Sequence, residues 1–231
     1  MGHSRASMNP TGGDGSRRDL AQPALHEALM VRVLDSANMR RAWKRVKANK
    51  GAPGVDGMGV EDFPEFARLH WPRIRRQLAD GAYQPQPVRR VRIPKPRGGE
   101  RLLGIPTVTD RVIQQAIAQV LTPIFDPGFS ESSFGFRPGR SAHGALRQVQ
   151  GHIKAGYRVA VDLDLAKFFD NVQHDVLMAR VARKVRDKGL LARMGRYLRA
   201  GVLVGKSIQV TELGTPQSGP LTPPTKLRKV M

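Results

Sequence analysis

The chain has 231 residues, 40% of them hydrophobic, which is enough for one substantial domain or two small ones with a real core. Lys and Arg number 39 against 19 Asp and Glu, a formal net charge of +20 spread over almost the whole length, and the partner this predicts is a polyanion. Cysteine is absent, so disulfides and thiolate metal sites are excluded and any metal needs oxygen or histidine ligands, while the lack of a long apolar span or signal peptide makes a cytoplasmic protein the expectation.

Residues 1–20, rich in Gly and Ser, read as a flexible leader. From Ser36, the residues Met39, Ala42, Trp43 and Val46 recur at helical spacing with Arg and Lys on the other face, and Gly51 follows as a stop signal. The loop "GAPGVDG" at 51–57 is dense in turn formers. The stretch 63–81 then predicts one or two short helices with Phe66, Leu69, Ile74 and Leu78 inward. In "PVRRVRIPKPRGGERLLGIP", alternation around a Pro-Arg-Gly-Gly turn predicts a β-hairpin. Ile113, Ile117, Leu121 and Ile124 form the stripe of a helix ending near Pro123. A basic loop, "SFGFRPGRSAHGAL", leads into another helix.

The segment 157–164 alternates Tyr157, Val159, Val161 and Leu163 on one face with Arg158, Ala160, Asp162 and Asp164 on the other, which predicts a strand. Val172, Leu177, Val181 and Val185 then predict a helix. Asp164 therefore falls at a strand's carboxyl end and Asp170 in the turn before the helix. Read by themselves, two such aspartates are as well explained by one capping the helix and the other meeting solvent. Residues 188–200 predict a helix and 202–213 a second hairpin, giving an α+β chain sparing in strands.

The blocks "IPKPRGGERLLGIPTVTDRVIQQAI", "FGFRPGRSAHGAL", "VDLDLAKFFDNVQHDVL" and "GTPQSGPLTP" follow one another in an order that resembles the fingers and palm of bacterial group II intron reverse transcriptases, the intron-encoded maturases. "GAPGVDG" is similar to the amino-terminal extension block of that family. The resemblance implies the fingers and partial palm of a right-hand polymerase: a leader at 1–20, a fingers-like region with the extension at 21–156, a partial palm at 157–223 and a divergent basic tail at 224–231. It implies RNA-directed DNA synthesis with two Mg²⁺ ions, hard cations that activate the primer hydroxyl and stabilise the leaving oxygens. The implied partners are intron or template RNA, a primer–template and deoxynucleoside triphosphates, with no membrane.

By the same resemblance Asp164 is the first metal-binding carboxylate, Leu165 offers its carbonyl to the metal, and Phe169 lies beneath the incoming sugar. Lys95 and Arg101, flanking the hairpin turn, match positions that contact the triphosphate, where charge-assisted bonds are strong. Arg97 is a weaker candidate in that turn. Gln217 lines the nucleotide pocket, although Ser218 and Thr222 stand where the family has Gly and Ser. In "FRPGR" the two guanidiniums suit phosphate or template contact, while an equally open reading makes Phe136 core and leaves Arg137 and Arg140 in solvent. His143 and His174 lack metal-ligand spacing and are expected to be structural. Asp162 and Asp170 are expected to support or cap.

Two other classes compete. "DLD" after a strand is also the Asp-x-Asp of nucleotide-sugar glycosyltransferases, and the charge fits a non-catalytic RNA-binding splicing fragment equally well. The family places a second carboxylate element, an Asp-Asp pair, after these blocks; the sequence has no Asp-Asp, and nothing acidic follows Glu212. The expectation is a truncated palm, inactive alone and in need of a polypeptide that supplies the remainder.

Overall fold

One helix, Val108–Phe125, is apolar on nearly every side and becomes the axis of the core. In the computed structural model, which describes residues 28–94, 98–165, 168–215 and 219–221, this helix (α4) is wrapped by α1 (Leu29–Val33), α2 (Ser36–Ala48), α3 (Phe63–Asp80), α6 (His174–Ala182) and α7 (Lys188–Leu198). Ile113, Ile117 and Leu121 are buried against Val33, Ala42, Val46, Leu78, Val181 and Leu190 in one continuous cluster. A buried side chain of this size stabilises by roughly 1.5–3 kcal/mol relative to exposure.

Polar residues fix how these helices meet. Asp35 caps α2 by accepting from the Asn38 N–H at 3.0 Å. The buried Asn38 amide donates to the carbonyls of Val33 and Ala116, and its Oδ1 accepts from Gln119 at 2.8 Å, so α1, α2 and α4 share one polar clasp. Asp187 caps α7 through the Leu190 N–H and also accepts from the Met30 N–H at 2.7 Å, which anchors α1. From α7, Arg193 donates to the carbonyls of Leu78 and Ala79, and Arg196 to those of Gly81 and Tyr83. The first two are carbonyls of the last turn of α3 that the helix itself leaves unsatisfied, and the other two lie in the chain just after it.

The strands β1 (Val88–Pro94), β2 (Glu100–Ile105), β3 (Val202–Val204) and β4 (Ser207–Gln209) form one sheet in the order β2-β1-β3-β4. β1 and β2 are the expected hairpin, with Val91 opposite Leu103 and Ile93 opposite Arg101. β3 joins β1 in parallel through Val88 and Val202, and β4 returns antiparallel. The 51–57 loop is docked on this frame: Arg89 donates to the Pro53 carbonyl and Arg111 to the Ala52 carbonyl, both at 3.0 Å. A Cβ on Gly54 would stand 2.6 Å from the Thr107 Cα, so only glycine permits that approach.

Three expectations are corrected. Residues 63–80 form a single helix through Pro72, and Leu69 is 62% exposed because it lies about 140° around that helix from Ile74. α4 continues past Pro123 to Phe125. Most consequentially, 157–165 forms no strand: every residue is exposed, with Val159 at 85% and Val161 at 78%. Alternation tells which face a strand would bury, not that a neighbour exists to supply the ladder, and among the described residues none pairs with it. α5 (Ala142–Lys154), just before it, likewise buries no residue. The expected leader and tail, at 1–20 and 224–231, lie outside the described residues.

Candidate nucleotide and nucleic-acid site

The turn after the exposed segment is where sequence-predicted site residues meet other parts of the chain. The Thr215 N–H donates to the Phe169 carbonyl and the Gly214 N–H to the Val172 carbonyl, both at 2.8 Å, and Gln173 and Leu213 form an isolated antiparallel bridge. His174, buried, adds a 2.7 Å hydrogen bond between its Nε2 and the Gly214 carbonyl. This is the structural use expected of that histidine. Gly214 has φ +87°, and a Cβ there would press on the carbonyls of Phe169 and Asp170 at 3.0 Å. Residues 169–173 and 213–215 are thereby held side by side, and the rings of Phe168 and Phe169 meet edge to face at 5.3 Å.

Asp164 is exposed, and one carboxylate oxygen accepts from the Leu165 N–H at 2.9 Å. Asp162 and Asp170 are exposed too, and α6 has no side-chain cap, so neither serves as the cap considered for it. Among the described residues, no group of three or more His, Asp or Glu is clustered to hold a metal ion. One carboxylate and one carbonyl fall short of a two-ion site. Arg101 is exposed on β2. Lys95, Arg97, Gln217, Ser218 and Thr222 lie outside the described residues.

The two arginines of "FRPGR" fit neither reading of that loop. Arg137 is inserted beneath it, its side chain 6% exposed, and its guanidinium donates to both Asp126 carboxylate oxygens and to the carbonyls of Asp126, Ser130 and Ser133. The paired guanidinium holds the Asp126 carboxyl below its ordinary range, and Arg140 does the same to Glu131. Phe136, expected in a core if not beside phosphate, is 77% exposed.

One buried polar hub escaped sequence reasoning. Asp110, in the first turn of α4, accepts from the hydroxyls of Tyr83 (2.8 Å), Tyr197 (3.2 Å) and Thr107 (2.8 Å) and from the Gln86 N–H (3.2 Å). Burial pushes its carboxyl above the usual range, against the pull of those donors, and pushes both tyrosine hydroxyls up as well. The spacing Thr107 to Asp110 signals a helix cap in the sequence; nothing there signals the two tyrosines.

Residues 93–225 match the family model described as reverse transcriptase (RNA-dependent DNA polymerase). The chain belongs to the reverse transcriptase family. It is 33% identical over 208 residues to Protein YkfC of Escherichia coli (strain K12), covering 87% of this chain and 55% of that protein. It is 37% identical over 183 residues to the group II intron-encoded protein LtrA of Lactococcus lactis subsp. cremoris, covering 79% of this chain and 30% of that one. This reverse transcriptase chain thus spans between about a third and about half of those relatives. In fold it is similar to a chain of a partial Cas6-RT-Cas1--Cas2 complex, with a TM-score of 0.57 at 23% identity over 85% of this chain and 33% of that one. The α+β fingers-and-palm expectation agrees with these likenesses, and the family uses divalent metals and binds nucleic acid. No helix among the described residues is long and apolar enough to cross a membrane.

Proposed function

We propose that this chain is the fingers and first palm portion of a group II intron-type, RNA-directed DNA polymerase, with 21–156 acting as fingers and 157–223 as palm. The observation that carries the reading is the bond from Thr215 to Phe169, which sets the turn following Asp164 against the segment leading to Gln217 inside the stretch matching the family. In this reading Asp164 and the Leu165 carbonyl ligate Mg²⁺, Phe169 limits the room beneath the incoming sugar, Gln217 lines the pocket, and Lys95 and Arg101 draw in the triphosphate. The bound ions would supply charge neutralisation at the attacking and leaving oxygens. Template RNA and primer lie along the basic surface, and the compartment is the cytoplasm.

Asp164 is exposed and, among the described residues, belongs to no metal-binding cluster, and 157–165 pairs with no strand, which favours a second role for the chain by itself: binding structured RNA without chemistry. The test joins the chain to the carboxyl-terminal portion of a group II intron reverse transcriptase and follows primer extension on RNA with Mg²⁺ and deoxynucleotides. Asp164→Asn should abolish synthesis with RNA affinity nearly intact, and Lys95→Ala or Arg101→Ala should raise the nucleotide requirement. Full activity of the Asp164→Asn fusion would place the metal elsewhere.

A further inference from the structure

Helix α5 and the segment after it leave two apolar faces uncovered among the described residues. Leu146, Val149 and Ile153 form an exposed stripe along α5. Tyr157, Val159, Val161, Leu163 and Leu165 are exposed at every second position of the segment. Among the described residues, no hydrogen bond involves the backbone of 158–163. A row of unpaired N–H and C=O groups beside apolar side chains is a template for a strand from another chain.

The order of charged and apolar residues makes this segment complementary to itself. Laid antiparallel on a second copy with Val161 on the twofold axis, Val159 faces the second copy's Leu163 and Tyr157 faces its Leu165, so one face of the ribbon is wholly apolar. On the other face Arg158 stands opposite the second copy's Asp164 with its Asp162 on the diagonal, and the twofold repeats both relations. A shift by one residue would set Val159 opposite Asp162 and mix apolar with charged along the whole length.

The local hydrogen bonds fit the same register. The Tyr157 N–H is taken by the His152 carbonyl at 3.1 Å and the Leu165 N–H by the Asp164 carboxylate at 2.9 Å. Pairs alternate outward from the axis, so with Val161 as a non-hydrogen-bonded pair, 157 and 165 also exchange no bonds, whereas Arg158 with Asp164 and Ala160 with Asp162 do. The two N–H groups already used are ones that this ladder does not need.

We infer that 157–165 is a homodimerisation strand, paired antiparallel between two copies of the chain about Val161, with the apolar stripes of both α5 helices covering the ribbon. A two-stranded ribbon is marginal by itself, which gives the helices their part. The inference goes beyond the polymerase reading and does not depend on it. Where both hold, the dimer and a palm completed by another polypeptide are alternative states of one edge.

The test uses the 231-residue chain, freed of nucleic acid by nuclease and high salt so that shared RNA cannot hold two copies together. Sedimentation equilibrium should show monomer and dimer in exchange and nothing larger. The chain has no cysteine, so Val161→Cys reports a single contact. Self-opposed at a non-hydrogen-bonded pair, with about 4.5 Å between Cα atoms, it should cross-link the dimer under mild oxidation, while Val210→Cys, equally exposed elsewhere, should not. Arg158→Asp and Asp164→Arg should each weaken the dimer roughly 5- to 50-fold. Mixed in equal amounts, these two variants should associate more tightly than either alone, because each introduced charge then faces its opposite. A role of those side chains within one copy predicts no such recovery. Val161→Asp sets like charges against each other on the axis and should stay monomeric, with the melting temperature of the wild-type monomer. A wild type that stays monomeric at the highest concentration reached, growth beyond a dimer, a Val161→Cys form that does not cross-link, or mixed variants that remain apart would each overturn the inference, and the exposed face then belongs to a different polypeptide.

Discussion

The backbone N–H of Thr215 reaches the carbonyl of Phe169 at 2.8 Å, and Gly214 beside it adopts the positive φ that lets the two segments close on each other. Gly214→Ala forces a Cβ onto the Phe169 and Asp170 carbonyls and should lower stability by about 1–3 kcal/mol. Chemical denaturation measures the loss, and limited proteolysis should show faster cutting at 165–172. An unchanged cleavage pattern would mean that the contact is incidental.

Asp110 gives the chain a pH signature of its own. Burial raises its carboxyl above the unfolded value, so its contribution to stability is fully present below about pH 4 and is lost as pH rises through the folded pKa. Asp110→Asn cannot titrate there. The stability of the wild type relative to Asp110→Asn should therefore fall as pH rises above about 4 in paired urea titrations. A difference that stays constant or grows with pH contradicts the assignment. Asp110→Ala, which strands two tyrosine hydroxyls and the Gln86 N–H, should cost about 3 kcal/mol or more near pH 4, where the contribution of the protonated carboxyl is fully present.

How much could be read in advance depended on whether the deciding forces were local. The 3.6-residue stripe of 108–125 specified α4 because its burial is intrinsic to its own sequence, and the Gly-Gly turn specified the 88–105 hairpin. For 157–164 the period of two was equally clear, yet strand formation requires hydrogen bonds to a neighbour, and that information lies outside the segment. Arg137 misled for a related reason: a guanidinium in a Gly-Pro loop looks solvated until the Asp126 carboxylate, eleven residues earlier, folds over to meet it. Asp164, Phe169 and Gln217 are candidates only through the order of blocks, since an aspartate at the end of an alternating segment carries little by itself.

At the centre of the core, Ile117→Ala removes a side chain with no exposed surface and should destabilise by roughly 2–5 kcal/mol. Leu69→Ala, on the outer side of α3, should change stability by less than about 0.5 kcal/mol. Thermal or urea unfolding separates the two, and a comparable loss at both would contradict the helix orientation.

The spread of positive charge predicts RNA binding that weakens steeply with salt, with a log–log slope of roughly −0.7 for each phosphate neutralised on a single strand. Anisotropy titrations over a range of salt decide it, and a flat response rules out the electrostatic footprint.

With Asp164 in an exposed segment that forms no strand, no group of three or more His, Asp or Glu clustered among the described residues and no Asp-Asp in its sequence, the 231-residue chain by itself should not extend a primer annealed to RNA, whatever the Mg²⁺ concentration. Robust extension that vanishes in Asp164→Asn would show that the remaining carboxylates come from within the chain after all.

The clasp from Asp187 to Met30 joins residues 157 positions apart, and that from Arg193 to Leu78 spans 115. Synthesis runs from the amino terminus, so α1 and the end of α3 emerge from the ribosome long before the helix that satisfies their backbone groups. Until α7 arrives, Leu29, Val33 and Leu78, all fully buried at the end, have no complete surface to pack on. The helical body therefore completes its packing only once α7 is present, and until then the basic, apolar amino-terminal half of the nascent chain is exposed to chaperones and to any RNA nearby.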